Sequence, residues 1–194
     1  IRGLADRNTG PLSMGSVVRI WREILSANLN QQIEIRAATL SSDTDFQGLA
    51  TEYVGTTSKL LYLDNIEEVI QCVAKGDAEI GILPDLNLSV HGRWWPKLIN
   101  LCKNRKLNII SHLPVATSRA KKPGAFIIAA QEPEISGNDT SVFIVDGDTY
   151  LVPGRIIDED GDMKLIFVDG YQQSLDAPAN IKWERIGAFP NPIV

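Results

Sequence analysis

Apolar residues recur at helical spacing near the start of the chain. Between positions 17 and 32 they fall three and four residues apart: Val17, Ile20, Trp21, Ile24, Leu25 and Leu29. This spacing predicts one amphipathic helix with a wide apolar face. Pro11, Ser13 and Ser16 mark its beginning, because serine is a favoured N-cap and proline is tolerated at the start of a helix.

After this helix the hydrophobic period switches repeatedly between that of a strand and that of a helix. The segments are strand-like 33–37, helix-like 46–54, strand-like 59–63, helix-like 66–73 and strand-like 78–83. Asp64 or Asn65 can cap the second of these helices, and Gly76 can end it. Strand, helix and buried strand in succession predict a right-handed parallel crossover, and hence an α/β sheet.

The second half of the chain is richer in strands. A helix-like segment opens at Arg93, and the predicted strands are 107–113, 125–130, 141–145, 163–168 and 181–189. Between them, residues 131–139 carry proline, glycine and acidic side chains and are typical of a linker. The acidic run 158–162 is predicted to be a hairpin turn, because its glycine stands fourth where a calcium-binding EF-hand loop needs it sixth. We expect a small α+β tail after residue 137.

Charge and hydropathy narrow the classes of partner. The 194 residues carry 19 Lys+Arg and 24 Asp+Glu, a net charge of −5, which predicts no general attraction to nucleic acid or to an anionic membrane. The longest apolar runs are about six residues, against the roughly 20 that cross a bilayer, and the first residues do not resemble a signal peptide. We therefore expect a soluble protein.

Metal and cofactor chemistry has little support in the sequence. His91 and His112 share no ligand spacing with each other or with Cys72 and Cys102. The phosphate-binding and hydrolase motifs GxGxxG, GxxxxGK[ST] and GxSxG are absent. We predict no metal site and no cofactor, and two reduced cysteines in a cytoplasmic protein.

Two polar or aromatic groups remain open to more than one interpretation. Ser41, Ser42 and Thr44 follow a predicted strand and precede a helix, where open α/β sheets bind anionic substrates, and helix capping explains them equally well. Trp94 and Trp95 suit the wall of a ligand cleft, but aromatic residues beside an apolar helix face more often anchor that helix in the core.

Three segments resemble one family, the chorismate mutase and prephenate dehydratase proteins of phenylalanine biosynthesis. Residues 18–28, VRIWREILSAN, are similar to the last helix of the mutase domain, whose usual form is (V/I)FREI(M/I)SAS. Residues 64–84 resemble the dehydratase segment in which a helix, a Gly-Asp-Ala turn and a buried strand lead to a proline. Residues 136–141, SGNDTS, resemble the TGNDKTS entry to the regulatory ACT domain, and residues 185–190, RIGAFP, resemble its closing LGSYP.

The resemblance also implies that one activity is lost. In the family, the strand entering the last region begins Thr-Arg-Phe, and its threonine takes part in expelling the hydroxyl and carboxylate of prephenate. Here the aligned residues are Gly124, Ala125 and Phe126, and the hydroxyl-bearing Thr117-Ser118-Arg119 stands several residues earlier. The tail is also shorter than an ACT domain and lacks the GAL and ESRP segments that bind phenylalanine. We expect a dehydratase scaffold without dehydratase activity.

The mutase resemblance supplies two candidate catalytic residues. The family places a small polar residue and a Gln or Glu four positions apart on this helix, which maps onto Asn28 and Gln32. Residues i and i+4 share one helical face, so both can reach one substrate. The rearrangement of chorismate needs positioning and charge stabilisation rather than a nucleophile. The family's cationic groups come from two preceding helices that these 194 residues do not include.

The sequence thus predicts an α/β protein of the periplasmic-binding-protein-like, prephenate dehydratase-like kind. Its expected parts are the last mutase helix (1–32), the α/β domain (33–136) and a shortened ACT-like tail (137–194). By resemblance, the parent chain converts chorismate to prephenate. The alternative is a non-catalytic ligand-binding or oligomerisation module of the same pathway. We expect a homodimer, because the wide apolar face of the first helix suits a partner chain.

Overall fold

A computed structural model describes residues 3, 7–41, 44–86, 92–101, 105–116, 124–147, 149–150 and 152–193, apart from the side chains of 44–45. Its four helices of more than one turn are α1 (Met14–Gln32), α2 (Thr44–Val54), α3 (Ile66–Lys75) and α4 (Trp95–Leu101). The strands are β1 (Arg36–Leu40), β2 (Lys59–Leu63), β3 (Ile80–Pro84), β4 (Asn108–Leu113), β5 (Ala125–Ala129), β6 (Asp139–Asp146), β7 (Arg155–Asp160), β8 (Met163–Asp169) and β9 (Lys182–Pro190). Most elements fall where the sequence predicts them, and a mixed α/β fold is confirmed. The predicted hairpin turn at 158–162 is shorter than expected, because residues 158–160 belong to β7 and the turn lies at 161–162.

The nine strands of the described residues belong to one sheet, in the order β2-β1-β3-β5-β4-β9-β6-β8-β7. The strands β2, β1 and β3 run parallel, as the alternation of strand and helix predicts. Strand β5 then inserts antiparallel between β3 and β4. This insertion places the beginning of β5 at the same edge of the sheet as the ends of β3 and β4.

Helix α3 shows how the local sequence determines where a helix begins and ends. The side chain of Asn65 accepts a hydrogen bond from the backbone N–H of Glu68, while the carboxylate of Glu68 reaches back to Asn65 and Asp64. This reciprocal arrangement is a capping box, which satisfies backbone donors at the helix start. Gly76 ends the helix with φ 84°, a left-handed conformation that favours glycine.

Strand β9 joins the tail to the rest of the sheet. It lies parallel to β4 and antiparallel to β6, so residues after 137 continue the sheet of the α/β part. Gly187 permits this join, because a Cβ there would collide with the backbone of Ile109. Within its described residues the tail holds β6 to β9 and no helix, so the expectation of an α+β tail is wrong in its helical part. The domain boundaries at 32/33 and 136/137 stay predictions.

The sheet is strongly curved. Phe126 of β5 and Phe167 of β8 have three strands between them, which in a flat sheet would separate them by about 19 Å. Their ring centroids nevertheless lie 6.2 Å apart. Phe189 of β9 touches both rings, with centroid separations of 5.7 Å and 5.3 Å. The curvature therefore brings the tail strands over the edge where β3, β4 and β5 meet.

Helix α1 packs on the domain through its polar side. Arg22 donates to the carbonyl oxygen of Tyr53 at 3.1 Å and stacks over its ring, and Arg19 pairs with Glu52 at 3.0 Å. The rest of the helix surface, which we call the outer face of α1, carries five large apolar side chains that are each 36–50% exposed: Ile20, Trp21, Ile24, Leu25 and Leu29. Of the apolar stripe that the sequence predicts, Val17 is therefore buried and the other five side chains stay partly exposed.

Candidate functional site

A cleft of about 340 Å³ lies between the α/β part and the tail strands. We call it the central cleft. One wall comes from the ends of β3 and β4 and from β5, and the other from β7 and β8. Its lining residues are Asp85, Leu86, His112, Phe126, Arg155, Ile156, Ile157 and Phe167. The volume is at the small end of the range for small-molecule sites.

Asp85 and Gly124 meet at the inner end of this cleft. The backbone N–H of Asp85 donates to the carbonyl oxygen of Gly124 at 3.0 Å, which extends the β3–β5 ladder by one bond. A Cβ placed on Gly124 would lie 3.0 Å from Cγ of Asp85 and closer still to its Oδ2. Real Cβ atoms rarely approach other atoms so closely, so the Asp85 carboxylate fills the space that a side chain at position 124 would need.

His112 stands beside this carboxylate. Its ring packs on Phe126 with a centroid separation of 4.4 Å and on Phe189 at 5.4 Å. Its Nε2 lies 3.7 Å from Oδ2 of Asp85, which is beyond hydrogen-bond range, and this buried nitrogen has no hydrogen-bond partner among the described residues. The aromatic packing fixes the ring, so His112 forms a rigid wall behind Asp85.

Arg155 brings the opposite charge to the mouth of the cleft. It is exposed at the start of β7 and forms no ion pair with the described residues. Arg93, which precedes α4, is already engaged, because it pairs with Asp158 at 3.0 Å and with Asp160 at 3.9 Å. Among the described residues, the lining of the cleft therefore contains the Asp85 carboxylate and the exposed Arg155 guanidinium.

Asp158 holds the tail wall of the cleft in place. It accepts hydrogen bonds from Nε1 of Trp95 at 2.9 Å and from Nε of Arg93 at 3.1 Å and 3.0 Å. Burial alone would raise the pKa of Asp158, but the bonds from Trp95 and Arg93 outweigh burial and hold the pKa below its ordinary value. The charged carboxylate thus ties β7 to α4.

The two tryptophans serve this packing and do not line the cleft. Trp94 and Trp95 are fully buried, and Nε1 of Trp94 donates to the carbonyl oxygen of Pro84 at 2.9 Å. Of the two interpretations that the sequence left open, the structure therefore favours anchoring of the helix in the core.

The predicted substrate-binding loop lies at the same edge of the sheet, after β1. The hydroxyl of Ser41 bonds to the Asp64 carboxylate at 3.3 Å, and its carbonyl oxygen accepts from Gln47 at 2.8 Å. Ser42 lies outside the described residues, and of Thr44 only the backbone is described, as the first residue of α2. The binding role of these three residues stays a prediction.

The predicted catalytic pair lies on the outer face of α1. Asn28 and Gln32 are both exposed, one turn apart, and the amide of Asn28 donates to the carbonyl oxygen of Ile24 at 2.9 Å. Gln32 also borders a groove of about 470 Å³ that runs from Leu25 and Leu29 to Ile80 and Gln131. Asn28 and Gln32 therefore do not line the central cleft, and they lie on the outer face of α1.

The sequence did not predict that the residues lining the central cleft come together. From the sequence, His112 is considered only as a metal ligand, and Arg155 is assigned no role. The one signal in the sequence is the Asp85 that follows Pro84 at the end of a buried strand, where α/β sheets tend to bind ligands.

No helix in the described part of the chain is long and apolar enough to cross a membrane. The same residues hold no cluster of three or more His, Cys, Asp or Glu side chains that could bind a metal ion.

Comparison with known proteins identifies the fold. No protein-family model and no curated protein sequence matches the chain. Several solved structures match it in shape, and three of them are described here. The prephenate dehydratase from Arthrobacter aurescens in complex with L-Phe has a TM-score of 0.58 at 13% identity, covering 82% of this chain and 92% of that chain. The prephenate dehydratase from Streptococcus mutans has a TM-score of 0.50 at 14% identity, with coverages of 80% and 97%.

The third structure is described as GqqA, a novel type of quorum quenching acylase. Its TM-score is 0.54 at 11% identity, covering 82% of this chain and 96% of that chain. At these identities the matches establish a prephenate dehydratase-like fold for this chain. The acylase among them is a reminder that one fold hosts different chemistries, so the function has to be argued from the site.

Proposed function

We propose that this chain is a prephenate dehydratase-like scaffold of aromatic amino acid biosynthesis that has lost dehydratase activity. The observation that carries the proposal is the contact between Gly124 and Asp85. Position 124 aligns with the family's catalytic threonine, and here it bears no hydroxyl. The carboxylate of Asp85 occupies the adjacent space that a side chain at position 124 would need.

The charge at this position also opposes the dehydratase reaction. Prephenate carries two carboxylates, and loss of one of them is assisted by cationic and hydrogen-bond-donating groups. The family's arginine aligns with Ala125, and the Asp85 carboxylate lies beside the start of β5. Removing each such group costs roughly 10² to 10⁴ in rate, and both the hydroxyl and the guanidinium of the family are missing here. An assay of phenylpyruvate formation from prephenate tests the proposal, and we expect no rate above the spontaneous reaction.

We further propose that α1 is the last helix of a chorismate mutase-like domain, with Asn28 and Gln32 contacting chorismate in the parent protein. The outer face of α1 supports this. The charged residues between Met14 and Gln32 are Arg19, Arg22 and Glu23, and all three bond to the α/β part. The outer face is left uncharged and apolar around Asn28 and Gln32, which suits further helices packed against it. The shortened ACT-like tail and a cytoplasmic location belong to the same proposal.

The alternative is a non-catalytic oligomerisation or ligand-binding module, and the same face favours it. A second copy of the chain, related by a two-fold axis, would cover one uncharged apolar stripe with another. The mutase proposal and the oligomerisation proposal differ in the role of Gln32. In a mutase it contributes to turnover, and in a homodimer interface it contributes to association.

A further inference from the structure

A second, smaller cavity lies where α1 meets the α/β part. Its volume is about 80 Å³, and it is bounded by α1, by α2 and by the end of β4 with the residues that follow it. We call it the α1 cavity. The residues that α1 contributes share one face of the helix, at spacings of three and four: Gly15, Val18, Arg19 and Arg22. No described residue lines both this cavity and the central cleft.

The inner wall of the α1 cavity is apolar. Three of its side chains are at most 5% exposed: Val18, Leu49 and Leu113. Such a wall suits an aliphatic group, because burying apolar surface away from water is favourable. A water molecule takes up about 30 Å³ in the liquid, so the cavity holds roughly three groups of that size. The aliphatic group that fits is therefore short.

The charged side chains of the described lining sum to one positive charge. Arg19 and Glu52 form an ion pair at 3.0 Å, so their charges offset each other. Arg22 donates a hydrogen bond of 3.1 Å to the carbonyl oxygen of Tyr53, and its Nε has no hydrogen-bond partner among the described residues. A guanidinium carries five N–H donors. The described residues thus leave part of the donor capacity of Arg22 unused beside an apolar wall.

We propose that the α1 cavity binds a short aliphatic monocarboxylate. The carbon chain of the ligand lies against Val18, Leu49 and Leu113, and its carboxylate accepts hydrogen bonds from Arg22. One negative charge matches the net charge of the lining, and a carboxylate binds a guanidinium more strongly than a neutral acceptor does. Because the ligand contacts α1 and the α/β part together, its binding holds α1 against the rest of the protein. The site depends on neither dehydratase nor mutase chemistry.

Matched small molecules test the proposal by calorimetry and thermal shift at constant ionic strength. Isobutyrate and 3-methylbutanoate are compared with isobutyramide and 3-methylbutanamide, which keep the shape and lose the charge, and with formate, which keeps the charge and loses the carbon chain. We expect at least one branched carboxylate to bind at least about tenfold more tightly than its amide and than formate. Equal binding by the amides or by formate, or no binding in any set, would overturn the proposal.

Variants locate the binding. Arg22→Gln removes the guanidinium and keeps an N–H donor for the Tyr53 carbonyl, and it should weaken the affinity by about tenfold or more. Val18→Leu leaves Arg22 in place and fills about one of the roughly three water-sized volumes, so it should weaken the affinity by at least about threefold. Arg105→Gln is the charge-matched control, because Arg105 is exposed and does not line the cavity, and it should bind as the unmodified chain does. Unchanged affinity in both cavity variants would place the ligand elsewhere and overturn the inference.

Hydrogen exchange tests whether the bound ligand contacts α1. Backbone amides between Met14 and Gln32 should exchange more slowly when the carboxylate is present, because a ligand that bridges α1 and the α/β part opposes local opening of the helix. The amide analogue, at the same concentration, is the control. Binding that leaves exchange in α1 unchanged would contradict the proposed position of the ligand.

Discussion

Nε1 of Trp95 donates a hydrogen bond of 2.9 Å to Oδ2 of Asp158, joining α4 in the first half of the chain to β7 in the second. The two residues lie 63 positions apart in sequence. Their contact closes one side of the central cleft, because the neighbouring residues of β7 form its tail wall.

Substituting Asp158 by Asn should lower the stability of the protein in a pH-dependent way. Loss of the charged acceptor for Trp95 and Arg93 should reduce the free energy of unfolding by about 1–3 kcal/mol near pH 7. The folded pKa of Asp158 is lowered, so its stabilisation is complete well above the unfolded value of about 3.9 and is lost as pH falls through the folded pKa. Urea unfolding of both proteins between pH 7 and pH 3 measures this, and the two free energies should converge at the acid end. A constant difference across that range would contradict the electrostatic role.

Substituting Gly124 by Thr should destabilise the fold rather than restore a catalytic hydroxyl. The new side chain would overlap the Asp85 carboxylate, and overpacking of this kind costs roughly 1–3 kcal/mol. Removing the obstacle with Asp85→Ala should recover part of the loss, giving a coupling of at least about 0.5 kcal/mol in a double-mutant cycle.

The control for this cycle is Gly48→Thr in α2. Nothing lies within 4 Å of a Cβ at Gly48, so this change should cost no stability. Additive effects of the Gly124 and Asp85 substitutions would show that the two residues do not compete for the same space.

Much of the fold could be predicted because its signals are local. The Asn65 cap and the Gly76 terminus of α3 are set within a few residues of sequence, and the strands follow their own hydrophobic period. The central cleft depends on the curvature of a nine-stranded sheet, which brings Arg155 to Asp85 across 70 residues of chain. No short-range pattern contains that information.

The orientation of α1 could not be predicted for a different reason. Its apolar stripe predicts burial, but the polar side makes the contacts with the α/β part, through Arg22, Glu23 and Asn30. Which of two faces packs on the domain is decided by the partners available on α2 and its following loop, and these are distant in sequence.

A substitution on the outer face of α1 should leave folding intact and change association. Ile24→Gln removes an exposed apolar side chain, so the free energy of unfolding should change by no more than about 0.5 kcal/mol. Val18→Ala, at a buried position of the same helix, should cost about 1 kcal/mol or more. Sedimentation of both variants should show weaker self-association for Ile24→Gln only. Strong destabilisation by Ile24→Gln would indicate that this face packs within the chain.

Substituting Gln32 by Ala in a full-length parent protein that contains the preceding helices should lower kcat/KM for chorismate by roughly 10², because a bond to the breaking ether strengthens in the transition state. Asn28→Ala should cost less. Melting temperature is measured in parallel. A change in stability or association with unaltered turnover would favour the oligomerisation module over the mutase.

Phenylpyruvate formation from prephenate tests the central claim most directly. The purified chain is used at concentrations comparable to the substrate and at neutral pH, so that a small residual enzymatic rate is seen above the reaction in buffer. The Asp85→Ala variant serves as the comparison, since it removes the repelling carboxylate without supplying a hydroxyl. We predict that neither protein forms phenylpyruvate above the rate in buffer. Formation above that rate by the unmodified chain would show that the site beside Gly124 retains dehydratase chemistry and would contradict the account.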